Sequence, residues 1–146
     1  MKKLLAVVLM AVFGLGVMGV SVAGSYGKQK VVYHVNYKQE KRQIGALRNI
    51  QNHINAVGAE NMDLRVVMHS GGYTLLKRAN NDPNIQGKII SLKKQGVKFQ
   101  ICANTLRGKK LNYKNDLFDV DKSDIVPSGV AELAHLESMG FAYIRP

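Results

Sequence analysis

The sequence predicts an α/β fold with three layers, in which a mainly parallel five-stranded sheet carries helices on both faces. One observation favours this class, and the length sets the number of domains. Short β-branched or aromatic runs alternate along the chain with segments whose apolar residues recur at helical spacing, and that alternation is typical of βαβ units. The length of 146 residues fits one domain. We therefore expect a small doubly wound sheet.

The first predicted strand and helix lie close to the start of this domain. Residues 30–36 (KVVYHVN) form a β-branched and aromatic run suited to a strand. Residues 40–57 follow as a predicted helix, which Gly58 ends. Its apolar positions are Ile44, Leu47, Ile50, Ile54 and Val57.

The second strand and the next two helices follow in the same order. Residues 63–70 (DLRVVMHS) predict a strand that two glycines close. Residues 73–79 and 84–95 predict helices, and the sequence NNDP at residues 80–83 separates them. This arrangement repeats the strand-then-helix pattern.

The last third of the chain completes the predicted sheet. Residues 97–102 (VKFQIC), 124–126 and 141–144 are expected to be strands. A helix over residues 128–138 begins at a serine, which is a favoured N-cap residue. Residues 104–119 are polar and basic and give no clear prediction of secondary structure.

Residues 1–23 have the pattern of an export signal. Lys2 and Lys3 precede an apolar stretch over residues 4–20, and small residues then lead to a cleavage position after Ala23. The alternative interpretation is an uncleaved membrane anchor, because the apolar stretch is just long enough to span a bilayer. We expect a cleaved signal peptide, a periplasmic protein and no stable membrane insertion after cleavage.

The charge of the chain at first suggests nucleic-acid binding. The net charge is +11, and removal of Lys2 and Lys3 lowers it to +9 for the domain at residues 24–146. We expect no nucleic-acid partner, because the periplasm offers little of either polymer. The basic side chains indicate either a solvated surface or a basic mouth that attracts anionic sulfur species or an acidic partner. They cluster at Lys38, Lys41, Arg42, Arg107, Lys109, Lys110 and Lys114.

Cys102 is the strongest candidate for chemistry. As the single cysteine it rules out an intramolecular disulfide and a Cys-based structural zinc site. An unpaired thiol is exposed to oxidation and disulfide exchange in an oxidising compartment, so its presence there needs a reason. At a strand end its thiolate could be stabilised by backbone N–H groups and by nearby Arg107, Lys109 and Lys110. The alternative is a buried structural cysteine that behaves as a small hydrophobic residue.

Polar residues at the ends of three predicted strands are expected to converge at one edge of the sheet, where doubly wound folds place their sites. They are Asn36, residues 69–72 (HSGG) and residues 102–105 (CANT). His69 could act there as a base or hydrogen-bond partner of the thiol. His34 is interpreted as a satisfied histidine within the sheet.

Asn104, Arg107 and Gly71 complete the predicted binding and positioning residues. Asn104 would position the reacting groups, Arg107 would supply positive potential, and Gly71 would let the backbone approach a small ligand. The glycine pair at residues 71–72 lacks both nucleotide-binding patterns. We expect no cofactor, and no tight ligand spacing supports a metal site.

Three blocks of the sequence resemble the DsrE/DsrF-like family of sulfur-metabolism proteins, in particular its exported, single-domain branch. They are HSGG at residues 69–72, VKFQICANTL at residues 97–106, and the tail VPSGVAEL…GFAYIRP over residues 126–146. The resemblance implies a small sulfurtransferase-like domain that forms homotrimers or homohexamers. It further implies that Cys102 accepts sulfur as a persulfide and passes it to a cysteine of another protein.

The leading hypothesis is a periplasmic sulfur carrier or sulfurtransferase-like protein that holds sulfane sulfur on Cys102. Its donor and acceptor would be proteins or small sulfur species. One alternative is a non-catalytic oligomeric binding or assembly module with a buried, unreactive cysteine. Another is the binding of an anion or small ligand without covalent chemistry, which would survive the substitution Cys102→Ala.

Overall fold

A computed structural model describes residues 26–146, so the predicted signal peptide at residues 1–23 lies outside the described residues. Five strands form one sheet in the order β4-β3-β2-β1-β5, and every neighbouring pair is parallel. This architecture confirms the predicted fold class. The strands are β1 (Gln29–Val35), β2 (Met62–Met68), β3 (Lys98–Cys102), β4 (Ile125–Val126) and β5 (Ala142–Ile144).

Helices cover both faces of the sheet, but unequally. The larger core lies under α1, α2 and α3, whereas α6 packs over a smaller cluster on the opposite face. That smaller cluster consists of Val32, Val67, Leu133, Leu136 and Phe141. The helices are α1 (Glu40–Val57), α2 (Thr74–Ala79), α3 (Pro83–Lys94), α4 (Ala103–Gly108), α5 (Tyr113–Asp116) and α6 (Gly129–Ser138).

Side-chain caps fix the starts of α6 and α3. The Ser128 hydroxyl accepts a hydrogen bond from the Ala131 N–H at 3.4 Å and begins α6, as its position in the sequence predicts. Asp82 caps α3 in the same way. The stretch without a clear prediction, residues 104–119, contains all but the first residue of α4 and the single turn of α5. Both are too short to produce a readable helical period in the sequence.

Strand alternation decides which side chains face α6. Along β1, Val31, Tyr33 and Val35 enter the larger core, while Val32 packs in the cluster under α6. His34 therefore belongs to the α6 face, because successive side chains of a strand point to opposite sides. The pairing of Met68 with Ile101 places the next residues of both strands side by side at the carboxyl edge. None of the helices within residues 26–146 is long and apolar enough to cross a membrane.

Candidate functional site

An open pocket of about 380 Å³ lies beyond the carboxyl ends of β2 and β3. The turn after β2 supplies His69 and Ser70, and the end of β3 supplies Cys102. Helix α4 contributes the wall that holds Asn104, Thr105, Gly108 and Lys109, and the start of α6 contributes Ser128, Gly129 and Val130. Of the three strand ends predicted to converge, those at residues 69–72 and 102–105 thus contribute to the pocket around Cys102, whereas Asn36 does not line it.

Cys102 combines strong burial with a stabilised thiolate. Only 4% of the residue is exposed, and this burial raises the pKa of the thiol. Hydrogen bonds from the backbone N–H groups of Gly129, Thr105 and Asn104 and from the Thr105 hydroxyl outweigh burial, so the pKa lies below its ordinary value. The donors come from the first turns of α4 and α6. The side chain is therefore buried, as one alternative expects, and its pKa is shifted in the direction that favours the thiolate.

Gly129 permits the close approach of α6 to the thiol. A Cβ atom at this position would lie 2.9 Å from the His69 Cβ and 3.3 Å from the Cys102 Cβ. Any larger residue would push the first turn of α6 away from both side chains. The backbone N–H of Gly129 can therefore reach the sulfur only because this residue is glycine.

Thr105 joins α4 to the turn that follows β2. Its hydroxyl oxygen accepts a hydrogen bond from the Ser70 N–H at 2.9 Å, and the same hydroxyl contributes to the lowered pKa of Cys102. Ser70 adopts a positive φ of 49° at the start of this turn. One hydroxyl group thus connects two walls of the pocket to the thiol.

A chain of hydrogen bonds leads away from the pocket through two histidines. The Nε2 atoms of His69 and His34 lie 2.7 Å apart, and the His34 Nδ1 lies 2.6 Å from the Tyr143 hydroxyl oxygen. Burial, the His69 ring and the Arg145 guanidinium lower the pKa of His34 to about 4. Burial and Arg145 also lower the pKa of His69. His34 lies within the sheet with both ring nitrogens bonded.

The remaining predicted site residues lie at different distances from the thiol. Asn104 lines the pocket, and its side-chain oxygen accepts a hydrogen bond from Arg107, which is exposed and outside the lining. Lys109 is the cationic side chain of the lining. Gly71 packs instead against the loop after β1, where its N–H donates to the Asn36 carbonyl at 3.1 Å.

The sequence pattern does not indicate Gly129 or Tyr143 as site residues, and it indicates Thr105 only as part of the strand end at residues 102–105. The hydroxyl of Thr105 three residues after the cysteine was a usable signal, because the first turn of a helix presents its donors to the preceding residue. The role of Gly129 depends on how α6 packs, which the sequence does not reveal. Within residues 26–146 no group of three or more His, Cys, Asp or Glu side chains could hold a metal ion.

The fold and the site define a small doubly wound α/β protein with a thiol of lowered pKa at the carboxyl edge of its sheet. The model of the DsrE/DsrF-like family matches residues 30–146, and the chain belongs to this family. It is also similar to the solved structure of MTH1491, a protein of unknown function from Methanobacterium thermoautotrophicum. The two are 33% identical with a TM-score of 0.70, over 82% of this chain and 100% of the other. No curated protein matches the chain.

Proposed function

We propose that the protein is a periplasmic sulfur carrier that accepts sulfane sulfur as a persulfide on Cys102 and passes it to an acceptor thiol. The observation that carries this proposal is the Cys102 side chain, which lines an open pocket and has a thiol pKa below its ordinary value. Membership of the DsrE/DsrF-like family supports a sulfur-relay role. The positive charge of Lys109 at the pocket favours an anionic sulfur donor.

The transfer is a pair of thiol exchange reactions. The Cys102 thiol loses its proton to solvent, and the thiolate attacks the outer sulfur of a donor R–S–SH. The donor S–S bond breaks, and R–S⁻ leaves and takes up a proton from solvent. Cys102–S–SH then reacts with an acceptor thiolate, which takes the outer sulfur and regenerates the Cys102 thiol. No net oxidation or reduction occurs in either half.

Location and assembly form part of the same proposal. Cleavage after Ala23 would release the domain at residues 24–146 into the periplasm, where sulfur donors and acceptors would be small sulfur species or other proteins. A homotrimer or homohexamer fits the family. Mass determination of the protein from a periplasmic extract, together with light scattering of the purified protein, tests both points. A full-length mass or a monomer would contradict them.

Intact mass spectrometry tests the sulfur transfer directly. Wild-type protein incubated with polysulfide should gain about 32 Da, the mass of one sulfur atom, and should lose it on addition of an acceptor thiol. The control variant Cys102→Ser should gain nothing. Absence of the adduct in wild type, or an equal adduct in the control, would overturn the proposal.

The low exposure of Cys102 supports a second function, a non-catalytic oligomeric binding or assembly module. Labelling of the native protein with iodoacetamide distinguishes the two. A sulfur carrier should be labelled in the folded state. A purely structural cysteine should react only after unfolding.

A further inference from the structure

We propose that Tyr143, His34 and His69 form a proton relay that connects the pocket of Cys102 with the protein surface at the edge strand β5. This inference rests on the proposed function, because it assigns a path for the proton that Cys102 must lose. Tyr143 and His34 are positioning residues that act through His69. Each of the four side chains comes from a different strand or strand end, and the four strands are neighbours in the sheet.

Strand register explains why these side chains form a row. Tyr143 pairs with Val32, and His34 lies two residues further along β1. His34 pairs in turn with Val67, and His69 lies two residues further along the chain from β2. Steps of two keep all the side chains on the α6 face. The row thus runs diagonally from β5 up to the carboxyl edge, where His69 and Cys102 stand side by side.

The two ends of the row have the exposure that a relay requires. Tyr143 is 41% exposed, so its hydroxyl can exchange protons with solvent, whereas His34 is only 8% exposed. His69 lines the pocket together with Cys102. The Cβ atoms of His69 and Cys102 both lie within 3.3 Å of the position that a Cβ at Gly129 would occupy. The buried imidazole therefore joins the outer surface to the reaction pocket.

The hydrogen bonds allow a proton to move along the row without a buried charge at rest. A bond between two Nε2 atoms holds one proton. His69 and Cys102 line the same pocket. With the shared proton on His69, the Nδ1 atom carries the lone pair, and in the relay this atom accepts the proton of the Cys102 thiol across the pocket. His69 then passes the Nε2 proton to His34, the His34 Nδ1 passes its own proton to Tyr143, and the tyrosine hydroxyl releases one to solvent.

The electrostatics of the row keep both histidine rings uncharged before a proton enters. The pKa values of His34 and His69 are lowered by burial and by Arg145, so both rings are neutral near pH 7. A neutral imidazole is the form that accepts a proton. The reverse movement returns a proton to the pocket when sulfur leaves and the Cys102 thiolate is regenerated. The number of protons is conserved in each direction.

The variant Tyr143→Phe tests the relay, because it removes the hydroxyl that bonds His34 and keeps the ring of a residue that is 41% exposed. The rate of persulfide formation from polysulfide is measured in a weakly buffered solution near pH 7. We expect Tyr143→Phe to be slower than wild type by about tenfold or more. Added imidazole should restore the rate, because a small buffer can replace the missing proton path. Imidazole should leave the wild-type rate unchanged.

The matched control is Tyr33→Phe. The Tyr33 hydroxyl also bonds a histidine, His53, at 3.1 Å, but this pair lies on the opposite face of β1, away from the pocket. The control should react at the wild-type rate. A wild-type rate for Tyr143→Phe, or a loss that imidazole does not relieve, would overturn the relay and leave Tyr143 with a packing role.

A second probe separates failure of the relay from failure of the proposed function. Attack on the disulfide 5,5′-dithiobis(2-nitrobenzoate) also requires Cys102 to lose its proton, and it needs no sulfane sulfur. If wild type forms no persulfide, the proposed function fails, and the same comparison with this disulfide still decides the relay. A lower rate in Tyr143→Phe alone, which added imidazole restores, supports the relay. Equal rates in wild type, Tyr143→Phe and Tyr33→Phe overturn it.

Discussion

At the scale of single residues, two features of the Cys102 environment shift the pKa of its thiol in opposite directions. Burial alone would raise the pKa and make the cysteine inert, as is usual for a lone buried cysteine. Three backbone N–H groups and the Thr105 hydroxyl reverse the direction of the shift. The lowered pKa therefore depends on hydrogen-bond donors rather than on Arg107, which bonds Asn104 and lies outside the lining.

The Thr105 hydroxyl should be measurable as a separate contribution to this shift. In Thr105→Val the hydroxyl is lost while the shape is kept, so the pKa of Cys102 should rise and the pH profile of alkylation should move to higher pH. Below the thiol pKa, where rate follows the thiolate fraction, alkylation should slow by about three- to tenfold. The rate of labelling with iodoacetamide is measured from about pH 5 to 10, which covers the titration of the thiol. This profile gives both the pKa of Cys102 and the change in the alkylation rate.

Thr105→Ser is the control for this experiment, because it keeps the hydroxyl that the thiol and the Ser70 N–H use. Its profile should coincide with that of wild type. A shift of equal size in the serine variant, or no shift in the valine variant, would show that the hydroxyl does not stabilise the thiolate.

At the scale of secondary-structure elements, most of the fold could be predicted from the sequence. β-branched runs and glycine stops mark the strands, and the periodic apolar residues of α1 predict its bounds, Glu40–Val57, to the residue. What could not be predicted is the strand order, because the position of β5 beside β1 depends on packing over the whole sheet. That order brings Tyr143 to His34, so the row of hydrogen bonds was hidden from the sequence.

The first turn of α6 is the element on which the site depends most closely. In Gly129→Ala the new methyl group would lie 2.9 Å from the His69 Cβ, so the helix must move outward. We expect a loss of about 1–3 kcal/mol in the free energy of unfolding. Labelling of Cys102 by iodoacetamide below the thiol pKa should also slow, because the Gly129 N–H no longer reaches the sulfur. Urea denaturation and iodoacetamide labelling measure the two effects.

Gly45→Ala provides the matched comparison for this substitution. Gly45 lies within α1, and a Cβ there would meet no atom within 4 Å. Alanine has the higher helix propensity, so this variant should gain up to about 1 kcal/mol and should keep the wild-type labelling rate. Similar stability changes in the two variants would contradict the proposed close approach of α6.

At the scale of the whole molecule, the net charge of +11 has a more limited meaning than it first suggests. Most basic side chains are on the exposed surface, and Lys109 is the one that lines the pocket of Cys102. A positive field over a small open pocket raises the local concentration of anions and speeds their encounter with the site. The charge thus favours anionic reagents over neutral ones at the same thiol.

Two alkylating reagents of similar size test this steering. Iodoacetate is anionic and iodoacetamide is neutral. The rate of Cys102 with iodoacetate divided by its rate with iodoacetamide therefore reports the local potential, because the reactivity of the thiol cancels. The ratio should fall as salt is raised to about 0.5 M, because ions screen the field. Lys109→Gln should lower the ratio about two- to fivefold at low salt.

Lys88→Gln removes an equal charge from α3, on the opposite face of the sheet, and should change the ratio far less. Equal effects of the two lysine substitutions would mean that net charge alone, rather than the charge at the pocket, attracts the anion.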